Sequence, residues 1–303
     1  MLKIIAVVVT YNRLELLKEV MQALKSQEYF LHAIVVVNNG STDGTREWLN
    51  AQDNIITRHQ ANSGGSGGFY TGIEHATRIG AEYIWVMDDD TICRPESLRI
   101  LVDILSKVKS DIGFIGSKCI WTDGSPHYMN IPDIKPTFNK RIPFNIYDEH
   151  NILLTESSSF VSLLISADAV RKVGLPYREF FIWGDDQEYT RRITKAGYLG
   201  LYCINSIVLH KTPVNYFPDF YRDTVKNLWK HKHGFRNEFF MVKKNKGILY
   251  FSLWLTMKVG YTSMKIIRIR KTDRAIFIKT LLNSAWRSIF FNPKIDTVNM
   301  QQV

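Results

Sequence analysis

Apolar and polar positions follow two rhythms along the first third of the chain. Residues 3–10 form a continuous Val/Ile-rich run, the pattern of a strand buried on both faces. Residues 14–26 change to a helical rhythm, with Leu14, Leu17, Val20, Met21 and Leu24 on one stripe. A second strand is expected over 33–37, ended by Asn38-Asn39-Gly40. Ser41-Thr42-Asp43 then offers side-chain caps for a helix running to about Leu49. A short strand over 55–58 leads into a glycine-rich loop, a helix over 69–81 and a fourth strand over 83–87. This order predicts an α/β fold with a mostly parallel sheet, its ligands at the carboxyl ends of the strands.

The next part is less regular. The pattern predicts a helix over 95–107, a strand over 112–118 and a strand over 160–166. A short helix over 168–173 is closed by Gly174, another helix covers 187–196, and a last strand over 200–209 ends at His210. Residues 121–152 contain four prolines among aromatic and polar residues, which reads as a long functional loop.

Composition narrows the class. Of 303 residues, 45% are hydrophobic, 13% aromatic and 22% charged, which excludes a disordered or collagen-like chain. Three scattered cysteines, Cys93, Cys119 and Cys203, have neither disulfide-framework nor zinc spacing and suit a reducing compartment. The N-terminal apolar run lacks a small-residue cleavage site and reads as a buried strand. No stretch reaches the 18 or so uninterrupted apolar residues of a membrane span. The net charge of +10 is uneven: residues 221–303 carry 17 basic against 4 acidic residues, whereas 1–220 carry 22 against 25. The basicity belongs to the C-terminal segment.

Three features could carry chemistry. Asp88-Asp89-Asp90 directly follows a buried strand. Side chains at i and i+2 of an extended segment point the same way, so Asp88 and Asp90 can converge on one cation. Hard carboxylate oxygens suit Mg²⁺ or Mn²⁺. A solvated acidic turn is the alternative, but three like charges at a buried strand end repel unless neutralised. Asn62-Ser63-Gly64-Gly65-Ser66-Gly67-Gly68 would let the backbone approach a ligand and leave N–H groups free for it. It is neither GxGxxG nor a P-loop, which weakens dinucleotide and NTPase readings. Finally, Phe180-Phe181-Ile182-Trp183-Gly184 leads into Asp185-Asp186 near a helix start. One acid there is explained by capping; two exceed that need, and the aromatic wall suits a sugar. His210, at a strand end, is a third metal-ligand candidate beside the commoner reading of a structural histidine.

Assembled in order, VVVTYNR, VVNNGSTDGT, NSGGSGGFYTG, WVMDDDT, FFIWGDDQEYTRR and VLHKT resemble a family 2 glycosyltransferase of the inverting GT-A type, over residues 3–212. The glycine-rich segment, the triple Asp and the spacing from the acid pair to His210 look most like bacterial galactofuranosyltransferases and rhamnosyltransferases. That resemblance implies a GT-A catalytic domain over 1–220, with a nucleotide-sugar half (1–118) and an acceptor half (119–220). It implies that Thr10, Tyr11, Arg13, Asn38, Asn39, Asn62, Gly65, Gly68, Asp88 and Asp89 hold the nucleotide sugar. Asp88, Asp90 and His210 would hold Mn²⁺ or Mg²⁺ on the diphosphate. Asp186 would be the general base, and Asp185 would support it and contact the acceptor with Trp183 and Glu188. The implied reaction is a single displacement at the anomeric carbon, with UDP-galactofuranose the preferred donor and dTDP-rhamnose the alternative, in synthesis of a bacterial surface polysaccharide. Two departures stand out: Asn38 and Asn39 where many relatives carry Asp, and Gly184 between Trp183 and the acid pair. The QxxRW motif of processive synthases is absent. A non-catalytic nucleotide- or glycan-binding protein is the alternative of another class, opposed by retention of the acids and the histidine together.

Residues 221–303 mix basic and aromatic residues, and the apolar run 248–267 is interrupted by Lys258 and Lys265. Such an amphipathic, basic and aromatic stretch suits a helix lying on an anionic membrane surface; a packed helical subdomain with a solvated basic face is the alternative. Nucleic acid is disfavoured, since no binding motif accompanies the charge. The expected setting is cytoplasmic, peripheral to the inner face of the membrane, with a polyprenyl- or lipid-linked glycan as acceptor.

Overall fold

The Val/Ile run at the start of the chain becomes strand β1 (Ile4–Thr10), buried at every position. In the computed structural model, which describes residues 1–134 and 142–299, β1 lies between β2 (Ala33–Asn38) and β4 (Tyr83–Asp88) and runs parallel to both. Helix α1 (Leu14–Lys25) follows β1, α2 (Thr45–Asn50) follows β2, and β3 (Ile56–His59) extends the parallel edge. Helix α3 (Gly64–Arg78) returns the chain to β4. The remaining elements are β5 (Thr91–Cys93), α4 (Ser97–Lys107), β6 (Ile112–Ile120), β7 (Ile152–Leu154), β8 (Leu163–Ser166), α5 (Ala167–Val173), α6 (Asp185–Lys195) and β9 (Leu199–His210). The sheet order is β3-β2-β1-β4-β8-β6-β9-β5, with β7 also on β9. Strand β8 runs antiparallel to both its neighbours, so the sheet is mixed.

Two apolar layers sandwich this sheet. Leu17, Val20, Leu24, Leu98 and Leu101 cover one face; Phe69, Ile73, Val170, Tyr189 and Ile193 cover the other. Full burial of each such side chain contributes about 1.5–3 kcal/mol. The three cysteines are free and buried in or beside these layers.

The structure corrects the glycine-rich segment, which is not a loop: α3 begins at Gly64, five residues before the expected start. The reason is close packing. A Cβ on Gly68 would stand 2.4 Å from Val9 Cγ1, and one on Gly72 would stand 2.2 Å from Val7 Cγ1. Only glycine lets α3 lie this near β1, and tertiary contact overrides the roughly 1 kcal/mol per residue that glycine costs a helix. Two short strands, β5 and β7, were not expected, because three residues carry no readable period. The expected loop over 121–152 includes 135–141, outside the described residues. Its described parts contain two 3₁₀ turns and β7.

Helices α7 (Leu228–Lys246), α8 (Ile248–Ile269) and α9 (Arg274–Phe290) complete the chain. They share a core of Leu228, Phe239, Phe251, Ile266, Phe277 and Leu281. Lys243 Nζ caps the end of α9 by donating to the carbonyls of Ser288, Ile289 and Phe291 at 2.8, 2.8 and 2.9 Å. This helical region is joined firmly to the sheet region. Phe240 packs with Tyr177 and Phe180, and the chain beyond α9 returns to the first domain, where Leu175 N–H donates to Asp296 O at 2.8 Å. Tyr70 OH donates to Asp296 Oδ2 at 2.9 Å. A packed helical unit, set as the alternative above, is therefore present. No helix among the described residues is long and apolar enough to cross a membrane.

Candidate active site

The carboxyl ends of β1, β2 and β4 meet at one edge of the sheet, where side chains leave the strands with backbone geometry already fixed. Asp88 ends β4, Asp89 and Asp90 form a tight turn, and β5 carries the chain back antiparallel to β9 with Thr91 opposite His210. The short strand β5, absent from the sequence reading, is what delivers His210 to the acids. Ligand atoms of Asp88, Asp90 and His210 lie within 4.8 Å of one another.

The environment of this cluster fits a divalent cation. His210 Nδ1 lies 2.7 Å from Asn130 Oδ1. Asn130 Nδ2 is taken up donating to Ser159 Oγ at 2.8 Å, so the amide oxygen faces the ring and His210 donates from Nδ1. Nε2 then faces Asp90 Oδ1, 3.1 Å away, a buried oxygen that makes no hydrogen bond of good geometry. An imidazole nitrogen and a carboxylate oxygen set this close in a buried site, with Asp88 beside them, suit a shared cation. Burial, then the Asp90 charge, pushes the Asp88 carboxyl up to about 7, and burial pushes Asp89 up to about 6. Burial acts the same way on Asp90, but His210 and Arg13 hold it below the usual carboxylate range. Arg13 Nη1 reaches Asp89 at 3.2 Å and Asp90 at 2.5 Å, neutralising part of the cluster.

Asn130 was missed by the sequence reading because it sits in the irregular segment after β6, where nothing periodic marks it. His127, from the same segment, stacks on His210 with ring centroids 4.3 Å apart. Burial, then His210, pushes its pKa down to about 4, so it stays neutral.

The second cluster is Asp185-Asp186, the first two residues of α6, preceded by Gly184 at φ +86°. The helix cap is thus Gly184, and both acids sit on the first turn, facing the positive end of the helix dipole. Burial, then Asp185 and Asp88, pushes Asp186 up to about 7; burial also raises Asp185. The charge of Asp88 adds to the rise at Asp186, so the two acidic clusters lie near enough to feel one another. A carboxylate with its pKa near neutrality has the strength of a general base at physiological pH.

Several residues expected at the ligand also have partners within the protein. Asn39, 2% exposed, donates to Asn62 Oδ1 and Gly64 O and accepts from Gln60, Ser63 N–H and Ser63 Oγ. Asn38 bonds His59 and the Ser41 N–H. Asn38 and Asn39 therefore shape the loop, and Asn62 Oδ1 caps the start of α3 through Gly64 N–H at 2.9 Å. Asp89 accepts from Tyr11 N–H and Arg13, fixing the turn after β1. Thr10 is buried, whereas the Tyr11 ring is 46% exposed and free to stack. Gly68 faces Val9, and Gly65 faces open space. Glu188 is paired with Arg192 at 2.8 Å and with Lys244; Trp183 is wedged against His231 and Gly234 of α7.

A mixed α/β sheet whose parallel strands end at a cation-fitting acid cluster has the GT-A arrangement of nucleotide-sugar transferases. The glycosyl transferase family 2 profile matches residues 5–157, and the chain belongs to that family. Galactofuranosyltransferase GlfT1 of Mycolicibacterium smegmatis is 30% identical over 212 residues, 68% of this chain and 70% of that one. Among solved structures, GalNAc-T7 with UDP, GalNAc and Mn²⁺ matches with TM-score 0.61 at 13% identity, over 98% of this chain and 55% of that one. The mannosyltransferase PcManGT from Pyrobaculum calidifontis, solved with GDP-Man and Mn²⁺, matches with TM-score 0.52 at 15% identity, over 95% and 87%. The protein is a glycosyltransferase.

Proposed function

We propose that this enzyme transfers one sugar from a nucleotide diphosphate donor to a glycan acceptor with inversion, using Asp186 as general base. The observation that carries the reading is the pairing of two nearby clusters: three cation ligands within 4.8 Å of one another, and a carboxyl at about 7 that senses Asp88. Tyr11, exposed beside β1, stacks the base, and Arg13, placed beside Asp89 and Asp90, would bind the diphosphate. Asp88, Asp90 and His210 hold Mn²⁺ or Mg²⁺, which supplies charge neutralisation at the leaving diphosphate. Asp186 removes the acceptor hydroxyl proton as that oxygen attacks the anomeric carbon from the face opposite the diphosphate. Asp185, buried beside it, keeps a second negative charge close and so keeps Asp186 basic.

UDP-galactofuranose is the preferred donor, supported by the 30% identity to a galactofuranosyltransferase over two thirds of both chains; dTDP-rhamnose is the alternative. The acceptor is a polyprenyl- or lipid-linked glycan of a bacterial surface polysaccharide, reached from the cytoplasmic face of an anionic membrane. Support comes from α8, where Leu249, Leu253, Met257, Tyr261, Met264 and Ile267 are all more than half exposed. From residue 248 to 294 nine Lys/Arg stand against one acid, Asp273. An apolar stripe beside dense positive charge suits an anionic bilayer.

The test is calorimetric titration with UDP, dTDP and GDP, with and without Mn²⁺, followed by transfer assays with UDP-galactofuranose and dTDP-rhamnose. Mn²⁺-dependent UDP binding and galactofuranose transfer support the reading. Preference for dTDP moves the donor to rhamnose, and failure to bind any nucleotide with Mn²⁺ refutes the site.

A further inference from the structure

The acid pair is aimed by a turn that an L-amino-acid chain adopts reluctantly. Phe181 has φ +67° and ψ −58°, and Ile182 N–H donates to Phe180 O at 2.8 Å. This is a three-residue γ-turn of the strained hand. Trp183 follows at φ +65° and Gly184 at φ +86°, and then α6 begins with Asp185 and Asp186. A non-glycine residue held in a sparsely populated region costs about 1–3 kcal/mol and persists only where its surroundings over-determine it.

One side chain supplies much of that determination. Asn237, in the middle of α7 and fully buried, shares its two Nδ2 hydrogens among the carbonyls of Phe180, Ile182 and Trp183 at 3.0, 3.2 and 2.8 Å. Those carbonyls flank both strained residues. The amide cannot be reversed, because its oxygen accepts from Arg236 Nε and Nη2 at 3.1 and 2.9 Å. Arg236 itself donates to Glu179 O and Phe180 O. Gly234, one turn earlier on α7, leaves room for Trp183, since a Cβ there would stand 3.0 Å from its ring. From the opposite side, Ser66 N–H of α3 donates to Phe181 O at 3.2 Å.

We propose that Asn237 is a positioning residue: from the C-terminal helical unit it locks the Phe180–Gly184 turn and so sets the aim of Asp185 and Asp186. The proposal rests on the reading of Asp186 as base. It makes α7 a part of the catalytic apparatus, so the unit that presents a lipid-facing surface also holds the base. The device is steric and hydrogen-bonded.

Three variants test it: Asn237→Ala removes the donor, Asn237→Asp keeps the size but turns an acceptor towards three carbonyls, and Asn237→Ser keeps one donor. Loss of aim should lower kcat by about 10²-fold in Asn237→Ala, with Asn237→Asp at least as slow and Asn237→Ser partly restored. Mn²⁺-dependent UDP affinity, which reports the first half of the site, should not change. Hydrogen exchange of the 178–186 amides should accelerate in Asn237→Ala, while β1 and α3 keep wild-type protection. Added to Asp186→Asn, the Ala substitution should cost nothing further. Wild-type kcat and exchange in Asn237→Ala would overturn the proposal, as would a UDP affinity that falls along with kcat. Should Asn237→Ala not fold, Asn237→Ser carries the same kcat, affinity and exchange comparison. If instead Asp186→Asn alone is fully active, the base assignment fails, and the exchange result still decides whether Asn237 holds the turn.

Discussion

Asp186→Asn separates the base from the rest of the site, since it keeps the shape of the side chain and its place on the first turn of α6 while removing the proton acceptor. Burial, then Asp185 and Asp88, holds the Asp186 carboxyl at about 7, so near half of the cation-free molecules carry the proton at pH 7. The base works only when deprotonated, so wild-type kcat/KM should rise with pH through a midpoint near 7. A divalent cation on Asp88 offsets part of the charge that raises the pKa, moving that midpoint downwards. Asp185 and Asp186 are close enough for the midpoint to belong to the pair. A positioned base contributes roughly 10²–10⁴-fold, and kcat should fall by that factor in Asp186→Asn, with the alkaline rise abolished. The same variant should not lose stability. Between the ordinary carboxylate range and about 7, the native carboxyl keeps a proton that the unfolded chain has released, so wild-type stability falls as pH rises through that window. Asparagine removes that fall. The assay is nucleoside diphosphate release across neutral pH at saturating Mn²⁺, beside calorimetric UDP binding and thermal melts. An Asp186→Asn enzyme with wild-type kcat, or with the same pH midpoint, would refute the reasoning.

Asn130→Ala frees His210 Nδ1 and should weaken Mn²⁺ binding about 10–100-fold, measured calorimetrically without nucleotide. Gly68→Ala forces a Cβ to 2.4 Å from Val9 Cγ1 and should cost about 1–3 kcal/mol, seen as a lower Tm that Val9→Ala in the same chain partly restores. The protein should sediment with anionic vesicles, not neutral ones, and less so at high salt. Leu253→Glu with Trp286→Glu, both on exposed helix positions, should abolish sedimentation without changing the melt; binding that persists would remove the membrane surface from α8 and α9.

Much of the parallel part of the sheet was legible in the chain. Strand β1 is seven apolar or β-branched residues in a row, and its ends fell where the pattern stops. The acids at 88–90 and 185–186 were found because carboxylates are conspicuous after a buried strand or ahead of a helix. Asn130, Asn237 and the short strand β5 were not, since a single amide or a three-residue strand has no local signature. The readings of Asn39, Glu188 and Trp183 as ligand contacts came from resemblance; the structure adds the partners these side chains have within the protein.

Periodicity and turn chemistry act over a few residues, so the sequence alone determines which segments are strands and helices and which acids lie at strand ends. What those acids face is a matter of long-range packing. His210 reaches Asp90 across more than a hundred residues only because β5 pairs with β9. The aim of Asp186 depends on an amide in α7 some fifty residues away in the chain. Close approach decided the rest: glycines that read as a loop lie on a helix, and β1 leaves no room for a side chain at Gly68 or Gly72.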